Sequence, residues 1–403
     1  MNQHKRVTPV RLKPVWLKAA VLGGLWASIE IIIGSFFHNL RLPFAGTMLA
    51  ANATVLMIAF YQMWPEKGLI WRAGLIAALM KSISPSAVIL GPMIGIMSEA
   101  LLIEICIRAF GNNLVSLSLA GALSVSSALI HKIGSLLILY GFNIVKLYVD
   151  IFKYLAKQVR IESIDPWLLV FIALGVYSVL GIGSAFLGWK IGRRSLSSTS
   201  KHPEIENKQQ EREDILAVDP KQRFSILLFF THLILIPSGL LLLNYMKLLP
   251  GAVFVVMYVA FCILIYKRSL RRLRKPTFWW QLALLTLLAS IFWNGVNSEG
   301  SLFETEGLII GLEMNIRALF VVIAFSSFGV ELRNPVIRDF LFSKGFDKIY
   351  TALGLSFTAL PAMIEAMPGP KKFLLHPVEG FSAMMVDAQH WLKVFTARQD
   401  DVI

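Results

Sequence analysis

The N-terminal half of the chain places ionisable side chains inside long apolar stretches, where a charged group is costly to bury. Glu30, for example, lies in the middle of the first such stretch, and Lys81 lies in the third. Residues of this kind usually face a cavity or one another, so we predict a solute site between helices. The candidate substrate-binding residues are Glu30, His38, Arg41, Lys81, Glu99 and His131. Mutual pairing that only locks the helices together, as of Glu30 with Lys81, remains the alternative.

The basic members of this group set an expectation for the solute. A pocket lined by His38, Arg41, Lys81, His131 and Lys132 would favour an anionic or strongly polar ligand. The sequence contains no GxxxxGK[ST] phosphate loop and no HExxH, CxxC, GxSxG or GxGxxG pattern. We therefore predict that the chain is not an enzyme and has no catalytic residue, metal site or cofactor of its own.

These residues belong to a chain that is too apolar to face water. Of its 403 residues, 56% are hydrophobic and only 16% are charged, whereas a soluble domain has roughly 25% charged residues. A helix needs about 20 mostly apolar residues to cross the bilayer core. The sequence therefore predicts an all-α integral membrane protein with about ten or eleven transmembrane helices. The predicted spans are Val15–Phe37, Phe44–Trp64, Leu69–Gly91, Pro92–Phe110, Leu114–Phe142, Trp167–Gly192, Phe224–Tyr245, Leu248–Tyr266, Phe278–Asn294, Leu308–Phe328 and Ile349–Met367.

The net charge is +14, and the distribution of the basic residues is typical of membrane topology rather than of a nucleic-acid-binding surface. Basic residues cluster at the ends of apolar stretches, and Lys5, Arg6, Arg11, Lys13 and Lys18 directly precede the first one. By the positive-inside rule we expect a multi-pass protein of a bacterial plasma membrane with a cytoplasmic N-terminus. No nucleic-acid partner is expected.

One long polar stretch, residues 195–223, divides the chain. It has almost no apolar run and is predicted to be a flexible cytoplasmic linker. It separates a six-helix membrane module, residues 1–194, from a second membrane module, residues 224–403. Within the first module, the basic segment from Lys146 to Arg160 is predicted to be either an interfacial helix or an extension of the fifth span.

The second module ends in a helix–break–helix pattern. An apolar helix that contains Arg317 stops at Asn334 and Pro335, and a short amphipathic segment with Arg338 follows. The next apolar helix contains Pro361, which predicts a kink. An amphipathic segment between two membrane helices has the shape of a docking element.

The C-terminal tail, Phe373–Phe395, is amphipathic in patches and follows Lys371 and Lys372. Two interpretations stay open for it. It is either a contact for a partner protein or an interfacial helix on anionic lipid.

The two halves resemble the membrane subunits of energy-coupling factor (ECF) transporters. The C-terminal half resembles a transmembrane T component through Arg317-Ala318-Leu319, Asn334-Pro335, Arg338-Asp339-Phe340-Leu341, Leu355-Ser356-Phe357, Leu360-Pro361 and Ile364-Glu365. The N-terminal half resembles a substrate-binding S component through Glu30, the sequence LRLPFAG at residues 40–46, Gly91-Pro92, Gly95, Glu99 and Glu104.

This resemblance implies a division of labour. The N-terminal module would capture a small solute, a vitamin or related micronutrient, and the C-terminal module would couple it to separate ABC-type ATPase subunits that bind ATP. Tilting of the first module against the second would carry the solute. The resemblance places the coupling or partner contacts at Arg317, Asn334, Pro335, Arg338, Pro361, Lys371 and Lys372.

Two other functions are consistent with the residues. The chain could be a secondary transporter driven by protons or sodium, with Glu30, Glu99 or Glu104 as the ion carriers and no need for an ATPase. It could also be a scaffold that holds another enzyme at the membrane without transporting anything.

Overall fold

The computed structural model describes residues 11–39, 44–83, 90–159, 164–197, 226–266, 276–293, 305–331, 346–369, 373 and 375–400. These residues form helices joined by short turns, with no strand among them. The helices are α1 (Pro14–Asn39), α2 (Ala45–Met63), α3 (Leu69–Ile83), α4 (Leu90–Phe110), α5 (Leu114–Tyr140), α6 (Asn143–Gln158), α7 (Pro166–Ser197), α8 (Ile226–Tyr245), α9 (Leu248–Ile265), α10 (Pro276–Phe292), α11 (Thr305–Glu331), α12 (Asp347–Ala366) and α13 (Pro377–Asp400).

The all-α membrane fold predicted from composition is confirmed. Eight of the described helices are long and apolar enough to cross a membrane, namely α1, α2, α5, α7, α8, α9, α11 and α12. Helices α3 and α10 also follow predicted spans but have only 15 and 17 described residues. Helix α4 is long enough, but it carries Glu99, Glu104 and Arg108. The charged residues of α4 thus lie on one of the helices that contribute residues to the predicted solute site.

The basic segment after α5 forms a helix of its own. Gly141 ends α5 with a φ of +74°, a backbone conformation that glycine adopts at little cost, and α6 then begins at Asn143. Leu147 of α6 is buried, and Lys146 lies 4.0 Å from the ring centre of Trp293 at the end of α10. The segment is therefore a separate amphipathic helix rather than an extension of the fifth span.

Small residues allow the helices of the N-terminal group to approach closely. At Gly121 of α5, an added Cβ would lie 2.3 Å from the carbonyl oxygen of Gly181 in α7. At Gly23 of α1, it would lie 2.8 Å from the carbonyl oxygen of Ala73 in α3. Close backbone approach of this kind is how membrane helices gain packing energy without a hydrophobic effect between them.

The last two helices of the chain pack on the N-terminal group. Helix α12 lies along α1, where the Ser356 hydroxyl donates a hydrogen bond to the carbonyl of Ala20 at 2.8 Å. Helix α13 packs on α1 and α7, and its buried side chains share one core with α1 to α4. Those side chains are Phe381, Met384, Met385, Ala388, Trp391 and Phe395. The apolar face of the tail is therefore covered by the chain itself.

Helices α8 to α11 form a second group with separate cores. Ile236, Val255, Tyr258, Phe320 and Ile323 lie in one of them, and α6 and α10 share another. This grouping differs from the division by sequence, since α12 and α13 follow the linker yet pack with the helices before it. Apart from its first three residues, which end α7, the predicted linker 195–223 lies outside the described residues.

Candidate functional site

Glu30 and Lys81 form an ion pair in the interior of the N-terminal group, and Glu99 lies near enough for its charge to interact with that of Glu30. We call Glu30, Lys81 and Glu99 the carboxylate cluster. Helix α1 packs on α3, and α3 packs on α4, so each helix contributes one member. Glu30 and Glu99 are only 6% and 7% exposed. Ile33 and Ile96, each three residues away along the same helix, belong to the apolar core of the N-terminal group.

Lys81 bonds with Glu30 across the α1–α3 contact. Its ammonium nitrogen lies 3.5 Å from the Glu30 carboxylate and 3.3 Å from the Glu30 carbonyl oxygen. Gly34, one turn further along α1, lies beside this ammonium, since an added Cβ would be in ordinary contact with it at 3.8 Å. The predicted pairing of Glu30 with Lys81 is confirmed, and the pair neutralises one carboxylate.

Glu99 has no such partner. Its Oε2 atom is shielded from solvent and makes no hydrogen bond with any residue that the structure describes. The negative charge of Glu30 acts on it and opposes a second negative charge. The Trp26 indole lies close to Glu30 but its N–H completes no hydrogen bond there. A buried carboxylate without a donor is costly to keep, so Glu99 is where this cluster can still bind something.

Glu104, only five residues further along α4, shows the opposite situation. Its carboxylate accepts hydrogen bonds from the backbone N–H groups of Gly68, at 2.6 Å, and Ile70, at 3.1 Å. It also accepts one from Arg108 at 2.7 Å. The two N–H groups belong to the start of α3, so Glu104 caps that helix from a neighbouring helix. Glu104 is therefore a structural residue, and this position does not suit the role of ion carrier.

Of the other predicted members of the solute site, the structure describes the side chain of His131, which does not join the cluster. His131 lies on α5, which packs on α2, α4, α7 and α11, and it makes no hydrogen bond or ion pair with the cluster in the part of the chain described. His38 belongs to the last turn of α1, but its side chain is outside the described set. Arg41 lies wholly outside the described residues. Of the expected cationic residues whose side chains are described, Lys81 is thus the one that belongs to the cluster.

Among the predicted coupling residues, Arg317 is buried within the chain. It is 8% exposed, and its guanidinium donates to the carbonyl of Ile138 at 3.0 Å and to the side chain of Asn244. Arg317 therefore ties α11 to α5 and α8 instead of standing on a surface. Pro361 lies within α12, the helix that packs on α1. The remaining predicted contacts, Asn334, Pro335, Arg338, Lys371 and Lys372, lie outside the described residues.

A second buried polar group joins α8, α9 and α11 and was not predicted. We call His232, Tyr258, Tyr266 and Glu331 the tyrosine–histidine network. The Tyr266 hydroxyl donates to the Glu331 carboxylate at 2.7 Å and lies 3.1 Å from His232 Nε2. Since Tyr266 has only one proton to give, His232 Nε2 donates to it and His232 Nδ1 accepts from Tyr258 at 3.0 Å.

The sequence feature that could have predicted this network is the one used for the N-terminal half, namely an ionisable residue within an apolar stretch. His232 and Glu331 are ionisable residues in or beside apolar stretches, and both are almost fully buried. The hydroxyls of Tyr258 and Tyr266 gave no such signal, because tyrosine is common at membrane helix ends.

Metal-ligand side chains do not gather at either place. Among the described residues, no three His, Cys, Asp or Glu side chains are grouped closely enough to hold an ion.

Comparison with known proteins gives no relative for this chain: no family model, no curated protein and no solved structure matches it.

Proposed function

We propose that the chain is the membrane part of an ECF-type uptake system for a small solute such as a vitamin or related micronutrient. The carboxylate cluster binds the solute within the N-terminal helices. ABC-type ATPase subunits on the cytoplasmic side supply the energy, and the C-terminal helices transmit it. The protein would act in a bacterial plasma membrane with its N-terminus in the cytoplasm.

The observation that carries this proposal is the docking of α12 and α13 on α1. Helix α1 holds Glu30, so a movement of α12 is passed directly to a helix that forms the cluster. The contact is close at Gly24, where an added Cβ would lie 2.9 Å from the Met363 sulfur. The residues expected to meet a partner border α12 on both sides in the sequence, with Asn334, Pro335 and Arg338 before it and Lys371 and Lys372 after it. A partner bound there would push on the same helix.

The test is capture of the full chain in mild detergent from its native membranes, with the co-purifying proteins identified and counted. ABC-type ATPase subunits in a fixed ratio to the chain are expected. Arg338→Glu and Lys371→Glu should reduce their amount. Lys393→Glu is the matched control, since it reverses a charge on the exposed face of α13. Absence of an ATPase, under conditions that keep a known ECF complex intact, would contradict the proposal.

One observation favours a second candidate, the ion-coupled secondary transporter. Glu99 is a buried carboxylate with a free acceptor, which is the form an ion carrier needs. That candidate predicts uptake that collapses with an ionophore and proceeds without ATPase subunits. The solute for such an assay would first be identified by mass spectrometry of small molecules released from the purified protein.

A further inference from the structure

We infer that the solute carries a positively charged group and that Glu99 of α4 is the residue that receives it. This inference rests on the proposed function, because it assigns the chemical class of the solute bound at the carboxylate cluster. It also reverses the expectation from the sequence, which favoured an anionic ligand.

The first step is the balance of charge within the cluster. Among the described residues, the cluster holds two carboxylates, Glu30 and Glu99, and one ammonium, that of Lys81, which is already bonded to Glu30. Glu99 therefore holds either a proton or an uncompensated negative charge in a place that water reaches poorly. A cation bound at Glu99 would balance that negative charge, whereas an anionic ligand would add to it.

The second step is the free hydrogen-bond acceptor. The Glu99 Oε2 atom has no donor within the described residues, although Glu104 on the same helix accepts several. Native proteins rarely leave a buried polar atom unpaired without a reason such as a ligand. A protonated amine or an amidinium group supplies both the missing donor and the missing charge.

The third step concerns the space beside Glu99. Gly95 lies one helical turn before Glu99, so the two residues share a face of α4. A Cβ added at Gly95 would meet no described atom within 4 Å. Helix α4 thus leaves open space beside the free carboxylate, where a larger side chain would fill it.

Labelling with dicyclohexylcarbodiimide tests this assignment. The reagent adds to a protonated carboxyl group in an apolar site and leaves a stable N-acylurea, which peptide mass spectrometry locates. In the purified full chain, Glu99 should be labelled at least about tenfold faster than Glu104, because the donors around Glu104 must first be displaced. Glu104 is therefore a control within the same molecule, and Glu99→Gln should abolish the signal.

Protection identifies the ligand class. The probes are ethylammonium, guanidinium and N-methylpyridinium, compared with ethanol and with sodium chloride at the same ionic strength. We expect at least one organic cation to slow labelling of Glu99 about tenfold while ethanol and sodium do not. Equal protection by sodium would overturn the inference in favour of an inorganic ion. Protection by no organic cation, or equal labelling of Glu99 and Glu104, would overturn it as well.

The outcome is independent of the ATPase test. Cation protection at Glu99 without any captured ATPase would leave the site standing and remove the proposed coupling. Captured ATPase without protection would leave the coupling and remove the cationic solute.

Discussion

The carboxylate cluster and the tyrosine–histidine network are both polar groups buried between membrane helices, but they differ in how fully their atoms are bonded. In the network, each of the two ring nitrogens of His232 has a tyrosine hydroxyl, and the chain of hydrogen bonds ends on Glu331. In the cluster, the Lys81–Glu30 bonds are long, and one oxygen of Glu99 has no donor among the residues that the structure describes. A bonded network fixes the positions of its helices, whereas an incomplete one retains capacity for a ligand.

This comparison separates two explanations of an intramembrane charge that the sequence alone leaves open. Both regions contain a buried glutamate on a membrane helix, so the cost of burial cannot distinguish them. The number of hydrogen-bond donors around each carboxylate does distinguish the two regions. The same criterion separates Glu104 from Glu99 on one helix: the first caps α3, and the second has an oxygen without a donor among the described residues and is the proposed binding residue.

The largest effect is expected from His232→Ala. The change opens a cavity and leaves the Tyr258 hydroxyl without its acceptor and the Tyr266 hydroxyl without its donor, at a cost of about 3 kcal/mol of unfolding free energy. Thermal unfolding in detergent measures it. Carbodiimide labelling of Glu99 should stay unchanged, because the network lies in the other helix group.

Thr231→Ala is the matched control for that variant. Thr231 is the preceding residue on α8 and half-buried, and the hydrogen bond that its hydroxyl donates among the described residues goes to the carbonyl of Leu227 in its own helix. Its unfolding temperature should equal that of the wild type. If Thr231→Ala and His232→Ala unfold at the same temperature, the network does not hold its helices together.

A smaller loss is expected from Glu104→Ala. The backbone N–H groups of Gly68 and Ile70 are buried and lose their acceptor, which costs about 2 kcal/mol. Thermal unfolding again gives the measurement. Arg108→Ala should cost far less, about 0.5 kcal/mol, since the Arg108 side chain is half exposed. Equal losses from both variants would mean that the ion pair, not the helix cap, explains the role of Glu104.

Ser356→Val examines the contact between α12 and α1 and should cost about 1 kcal/mol, the usual value of a hydrogen bond between membrane helices. The Ser356 hydroxyl bonds to Ala20 of α1, whereas the nearby Thr358 hydroxyl bonds only within α12. Thr358→Val should therefore have no effect on thermal unfolding. ATP-driven uptake should fall in Ser356→Val alone if α12 transmits the movement, and equal uptake in both variants would contradict that role.

The helices could be predicted from the sequence because an apolar stretch of sufficient length satisfies its backbone hydrogen bonds in a membrane by forming an α-helix. The pairing of Glu30 with Lys81 could also be predicted, since opposite charges at membrane depth find each other. The acceptor role of Glu104 could not, because it depends on backbone groups more than thirty residues away. The docking of α13 on α1 likewise required the packing of distant segments, and the sequence left both a partner contact and a lipid surface open for it.

The charge of the solute stays a prediction, because the sequence does not show which basic residues share one interior. Counting basic residues in apolar stretches gave a cationic site, but side chains on one stretch need not face the same interior. Lys81 reaches the cluster from α3, whereas His131 makes no hydrogen bond or ion pair with the described cluster residues, although its helix, α5, packs on α4. The rotation of each helix decides which charges meet, and that rotation depends on packing contacts such as Gly23 against Ala73.

The smallest change in stability, and the sharpest contrast, is expected from Glu99→Gln. Replacing Glu104 removes an acceptor that buried donors need, but replacing Glu99 removes a charge that no described donor satisfies. The unfolding free energy should therefore stay within about 1 kcal/mol of the wild type or increase slightly. Because glutamine keeps the shape of the site and loses its charge, binding of organic cations should disappear from a protein that unfolds normally. A Glu99→Gln variant that is as unstable as Glu104→Ala would show that Glu99 is another structural carboxylate, and the distinction between the cluster and the network would then be lost.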